Sequence, residues 1–229
     1  MVMENFQVKP IGYIKSDFSE KFGIPRQSGR APSLKAKVIF NPEYRSDDAL
    51  RGIEGFTHLW ILFDFSKAHK DEFSPLVRPP RLGGNKKVGV FASRSPFRPN
   101  HIGLSSVKFE KLEKTEKYGT VIVISGADLL DGTPVYDVKP YLPFTDCHPD
   151  AKGGYAEELK DYKLKVNLCD EVFSLLSQEK IDALTECLAD DPRPSYQDDG
   201  KEYGLTFAGV NLKFTVQNGT LTVISAQKI

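Results

Sequence analysis

Across residues 6–141 the chain passes through short apolar segments divided by turn-formers, with no helix-length amphipathic stretch between them. Leu34-Ala36-Val38-Phe40 alternates cleanly, and Phe6-Val8-Ile11 loosely around Pro10. Residues 56–65 are almost continuously apolar, as a strand buried on both faces would be. Val88-Val90, Ile102-Leu104 through Val107-Phe109, Val121-Ile124 and Val135-Val138 follow. Asn41-Pro42, the proline- and glycine-rich run 78–85 and Asp131-Gly132-Thr133-Pro134 separate them. A doubly wound parallel sheet needs a crossover of about a dozen residues after most strands. Only a short helix over residues 47–53 is expected here. The pattern predicts a mainly β fold, a single sheet closed or partly closed into a barrel.

After residue 146 the composition changes. Tyr162-Leu164-Val166-Leu168 reads as a strand. Residues 171–189 read as one broken or two short helices, with Ile181, Leu184 and Leu188 on one face. Leu212-Phe214-Val216 and Leu221-Val223 form a hairpin around Asn218-Gly219. A β-barrel domain over 1–155 and a small α+β C-terminal domain over 156–229 are expected.

The 229 residues are 40% hydrophobic, enough for a real core, and no apolar run approaches the roughly 20 residues of a membrane helix. The start, Met-Val-Met-Glu-Asn, lacks the basic and apolar blocks of a signal peptide. Cys147, Cys169 and Cys187 have no paired spacing and read as buried or half-buried thiols of a reducing cytoplasm, with no metal site. Of the four histidines, none has zincin spacing, and His58 reads as a core histidine inside its strand. Gly84 and Gly89 have P-loop spacing, but Val90 stands where the lysine must be.

Balanced charge, 31 basic against 31 acidic residues, conceals segregation. No acidic residue lies between Glu72 and Glu110 or between Glu20 and Glu43, while the stretch from Asp146 to Glu202 is acidic. A basic footprint suits either an anionic partner or a solvated face. Three loops combine stiff backbone with polar side chains: residues 23–30, 93–103 and 131–141. Proline reduces the entropy lost on holding a ligand, and guanidinium groups beside it present fixed donors to phosphate or carboxylate.

These loops carry a resemblance. Gly23-Ile24-Pro25-Arg26-Gln27, Glu54-Gly55-Phe56-Thr57-His58-Leu59-Trp60 and Arg78-Pro79-Pro80-Arg81-Leu82-Gly83-Gly84 belong to it. So do Gly89-Val90-Phe91-Ala92-Ser93-Arg94-Ser95-Pro96-Phe97-Arg98-Pro99-Asn100, the run 131–141, and Asp191-Pro192-Arg193-Pro194-Ser195-Tyr196. Together they resemble the TsaA-like (YaeB) proteins, the tRNA methyltransferase O family. The resemblance implies a barrel that binds S-adenosylmethionine, a homodimer with sites near the subunit contact, and methylation of N6 of threonylcarbamoyladenosine at tRNA position 37. Cofactor contacts carry over to Pro25, Arg26, Gln27, Arg94, Leu104, Asp131, Gly132, Thr133 and Pro134. Ser66 and Lys67 join them, although many relatives have His-Gln there, and His101 replaces a usual proline.

For the chemistry, Asp137 is expected as base or orienting group for the N6 proton, with Lys139 or Tyr136 beside it; the alternative is that Asp137 pairs with Arg94 or Arg98. Arg81, Arg98 and Lys139 are candidates for the threonyl carboxylate. Arg78, Lys86 and Lys87 suit the phosphates of the anticodon loop, and Phe97, Tyr136 and Tyr141 suit stacking with splayed bases. Two other classes compete: a non-catalytic RNA-binding barrel and an S-adenosylmethionine-sensing protein.

Overall fold

The computed structural model describes residues 7–70, 72–79, 86–159, 161–194 and 199–229. Eight strands come first: β1 (Gly12–Lys15), β2 (Lys35–Phe40), β3 (His58–Asp64), β4 (Leu76–Val77), β5 (Val88–Gly89), β6 (Ile102–Thr115), β7 (Gly119–Ser125) and β8 (Pro134–Pro140). After a one-turn helix α1 (Pro143–Asp146) come β9 (Lys165–Asn167), α2 (Asp170–Leu175), α3 (Gln178–Ala189), β10 (Glu202–Phe207), β11 (Val210–Gln217) and β12 (Thr220–Lys228).

Six strands pair in the closed order β1-β2-β7-β6-β3-β8, because short β1 bonds to both β2 and β8. Alternate residues turn inward to one core, among them Ile14, Val38, Leu59, Ile61, Val107, Ile122, Ile124 and Val135. Register shifts in the β3–β8 and β6–β7 pairs supply local bends of the kind that curve a sheet.

Residues 56–65 do not form a strand buried on both faces. In β3, Leu59, Ile61 and Phe63 are buried, while Trp60 and Leu62 on the other face are half-buried. Amphipathic Trp60 explains the misleading apolar run: its indole Nε1 donates to Asp146 Oδ2 at 2.8 Å, and its ring lies 5.5 Å from Tyr141. His58 falls on this outer face and is exposed, so it is no core histidine. The uninterrupted burial belongs instead to residues 121–125 of β7. The helix expected over 47–53 is replaced by two 3-10 turns, Asp47–Leu50 and Ile53–Gly55, parted at Gly52 with φ +88°. The strand expected over residues 6–11 begins later, at Gly12, and Phe6 lies outside the described residues.

The C-terminal sheet has the order β10-β11-β12-β9, with β9 parallel to β12. The expected hairpin is present, with Asn218 and Gly219 both at positive φ, as a two-residue turn of this twist requires. β10 has no counterpart in the sequence reading. The core beneath α2 and α3 also takes Phe18, Ala31 and Leu34 from the N-terminal half. Cys187 is buried and Cys169 half-buried, but Cys147 is exposed, at the end of the one-turn helix. Among the described residues no helix is long and apolar enough to cross a membrane, and no cluster of His, Cys, Asp or Glu could hold a metal.

Candidate active site

Residues 23–30 leave the ring after β1 and turn at Gly23 and Gly29, both at positive φ. Residues 93–101 form the link into β6, and residues 127–133 the link into β8. These three connections wall a cleft of about 2030 Å³, together with residues following β3 and a turn after α3. Pro25, Arg26, Gln27, Ser66, Lys67, Arg94, Arg98 and Thr133 line it, as do Arg78 and Lys87.

The polar groups are held in place. Arg94 Nη1 donates to Gln27 Oε1 at 2.7 Å. Arg98 Nη1 donates to the carbonyls of Ser93 (2.7 Å) and Val90 (3.2 Å), so this guanidinium also serves to shape its own loop. Asp128 lies in the wall, accepting a hydrogen bond from Ser105 Oγ at 2.6 Å. Burial pushes its carboxyl above the usual range, against the Ser105 hydroxyl and the charge of Arg94. Asp64, also in the wall and 8% exposed, lies 2.8 Å from His69 Nε2. Burial, followed by the nearby Asp64 charge and their hydrogen bond, raises the phenol of Tyr136. The His69 ring in turn lies 4.4 Å from that of His101, tilted by 33°, and the His101 backbone sits at φ +50°. That left-handed geometry is closed to proline, which agrees with its absence here.

Other expected residues lie elsewhere. Asp137 and Lys139 are on the outer face of β8, joined by an ion pair of 2.6 Å, so Asp137 pairs with neither Arg94 nor Arg98. Alternation along the strand decides this: Asp137 pairs in register with outward Leu62, while the arginines belong to loops. Leu104, 50% exposed, is on the outer face of β6 in the same row as Leu62. Asp131 accepts from Lys15 Nζ at 3.0 Å and Ser16 N at 2.9 Å, tying its loop to the end of β1. Gly132 takes φ +75° in that loop and Pro134 opens β8. Lys86 is exposed, and Arg81 lies outside the described residues.

Comparison with known proteins places this arrangement. The family model described as the tRNA-methyltransferase O N-terminal domain matches residues 13–147, and the TrmO C-terminal domain matches residues 161–229. The chain is 41% identical, over 234 residues, to the tRNA (adenine(37)-N6)-methyltransferase of Escherichia coli (strain K12), covering 98% of this chain and 99% of that one. The chain belongs to the tRNA-methyltransferase O family. A human protein of the same name is 38% identical over 203 residues, covering 84% of this chain and 42% of its own. A crystal structure of TrmO from Pseudomonas aeruginosa superposes with a TM-score of 0.78 at 34% identity, over 98% of this chain and all of that one.

Within this tRNA-methyltransferase O chain, Asp64 and Asp128 are cleft residues that the motif reading missed. Each had a signal: an acidic residue ending an apolar strand, and one set between buried Ala127 and Leu129. A carboxylate costs free energy in such surroundings unless it is partnered, so its presence there asks for a purpose.

Proposed function

We propose that this chain is an S-adenosylmethionine-dependent tRNA methyltransferase acting on N6 of threonylcarbamoyladenosine at position 37. Full-length similarity to a tRNA (adenine(37)-N6)-methyltransferase carries the reading. A Pseudomonas aeruginosa relative, 42% identical over 206 residues, is named a putative S-adenosylmethionine-dependent methyltransferase. The closed ring is then the cofactor-binding barrel, the division near residue 155 separates the catalytic from the C-terminal domain, and the enzyme works as a cytoplasmic homodimer.

The cleft's donor set suits this cofactor. Arg94, held by Gln27, offers a guanidinium to a carboxylate. Ile24, Phe65 and Leu129 give apolar walls for an adenine. Pro25, Arg26, Ser66, Lys67 and Thr133 line the same cleft and complete its proposed set, while Leu104, Asp131, Gly132 and Pro134, outside that lining, are assigned to the cofactor on the family resemblance alone. When bound, the cofactor supplies an electrophilic methyl group on a sulfonium.

The protein must orient the acceptor and manage its proton, because the N6 lone pair is spread into the purine and the carbamoyl carbonyl. Asp137, with Tyr136 and Lys139, is one assignment for that task. Asp128 is the competing carboxylate, favoured by its place in the cleft wall and its raised pKa. Single-turnover rates of Asp137→Asn and Asp128→Asn decide between them. The base is the residue whose loss slows transfer without changing cofactor affinity. Arg81, Arg98 and Lys139 serve the threonyl carboxylate, while Arg78, Lys86 and Lys87 serve the phosphates of the anticodon loop.

The decisive experiment supplies labelled S-adenosylmethionine and two tRNA pools, with and without the threonylcarbamoyl group. Label is expected in the modified pool alone; label in neither pool, despite cofactor binding, rejects the assigned acceptor. Affinity for tRNA is expected to fall steeply with salt, because releasing condensed counterions into a saltier bulk gains less entropy. A flat response removes the phosphate role of the basic residues.

A further inference from the structure

Two arginines of the first loop, Arg26 and Arg30, line the cleft, and both are held by the C-terminal domain. Arg26 Nη2 donates to the carbonyl of Asp191 at 3.3 Å and to that of Arg193. Arg30 Nε meets Asp190 Oδ1 at 2.6 Å, and Arg30 Nη2 donates to the Tyr162 carbonyl at 2.9 Å. Lys163 Nζ donates to the Arg30 carbonyl at 2.9 Å and stands 3.6 Å from Asp190. Asp190, at the C-terminal cap of α3, is only 4% exposed, and these partners surround its carboxylate.

The turn that presents the two carbonyls is itself cross-braced by hydrogen bonds. Asp191 adopts φ +54°, unusual for a residue other than glycine. Its carboxylate accepts Arg193 Nε at 3.0 Å, Arg193 Nη2 at 3.2 Å and the Tyr162 hydroxyl at 3.0 Å. From Arg26 the contacts continue into the cleft: its carbonyl accepts Gln27 Nε2 at 2.6 Å, and Gln27 Oε1 accepts Arg94. Asp190 and Pro192 also form part of the cleft wall.

We infer that the turn from Asp190 to Arg193 is a positioning device for the cofactor loop, with Asp190 and Arg30 as its clamp, so that the C-terminal domain is a working part of the cofactor site. The inference rests on the S-adenosylmethionine reading of the cleft. Arg26 then acts chiefly as a strut: its guanidinium is committed to backbone carbonyls, and its service to the cofactor is to hold Gln27, and through it Arg94, in position. A loop fixed before binding loses less freedom when it closes on a ligand.

Calorimetric titration of the full chain with S-adenosylmethionine tests this. Asp190→Asn is expected to raise the cofactor Kd about tenfold and Arg30→Lys about threefold, by loss of preorganisation. The loss should reside in the cofactor KM, with kcat at saturation held within about twofold. Val223→Ala, in the C-terminal core, is expected to lower Tm and leave Kd unmoved. Wild-type Kd in Asp190→Asn overturns the inference, as does an equal rise in Val223→Ala, which would make the effect one of general stability. If Asp190→Asn does not fold, Arg30→Lys decides by the same two outcomes. A wild-type chain that binds no S-adenosylmethionine removes the cleft reading, and this inference with it, before any variant is compared.

Discussion

Two aspartates near the cleft have opposite electrostatic characters, and each implies a different dependence of stability on pH. Asp128 is raised by burial, against its hydrogen bonds and Arg94. A carboxyl raised on folding stabilises the folded state at low pH, and that contribution is lost as pH rises through the folded value. Asp128→Asn, which keeps the shape without the charge, is therefore expected to raise Tm near pH 7, by an amount that shrinks towards about pH 4. A loss of stability of equal size at all pH values would refute this. Asp191 is also burdened by burial, but its hydrogen bonds to Arg193 and Tyr162 hold it below the ordinary value. Its stabilisation is present above the unfolded pKa and vanishes as pH falls through the folded one. Thermal melts of Asp191→Asn should therefore show destabilisation at neutral pH that disappears in acid; destabilisation persisting unchanged in strong acid would contradict the ion-pair account.

Among the elements, β1 has the largest effect for its length, because four residues close the ring between β2 and β8. Gly12 lies opposite Phe40, and a Cβ placed there would run into the carbonyl oxygen of Ile39. The obstacle is partner-strand backbone, which cannot swing aside as a flexible side chain can. Gly12→Ala is expected to cost about 1–3 kcal/mol, the usual scale of overpacking. Denaturant unfolding gives the value, and a change below ~0.5 kcal/mol would mean that the strand end can shift at little cost.

Across the whole molecule, the halves share a core and a charge interface. Phe18, fully buried, meets Phe207 edge-on at 5.1 Å. Lys180 pairs with Asp17, Lys35 with Glu179, and the Ser33 amide and hydroxyl bind Glu186 at 2.7 and 2.9 Å. Arg30 with Asp190 and Lys35 with Glu179 satisfy part of the charge segregation within the chain, basic N-terminal half against acidic C-terminal domain, while Lys180 with Asp17 runs the other way. One calorimetric unfolding transition is expected for wild type, and Phe18→Ala should lower its stability by about 3–5 kcal/mol. Two separate transitions in wild type would show that the halves fold independently. Residue patterning alone determined much of the architecture: the alternation of β2, the absence of crossover helices, the split helix and the Asn-Gly hairpin all arise from neighbours in sequence. The loop motifs likewise determined the family, since their identity does not depend on where they fold. Only the tertiary structure decided which carboxylates face the cleft. Asp137 looks outward through the alternation of β8 and its register with β3, whereas Asp64 at the end of β3 and Asp128 in the link into β8 meet at the cleft only when the ring closes. The partners of Arg26 and Arg30 were equally hidden, because Asp190 is 160 residues from Arg30 along the chain and becomes its neighbour only when the two halves build one core.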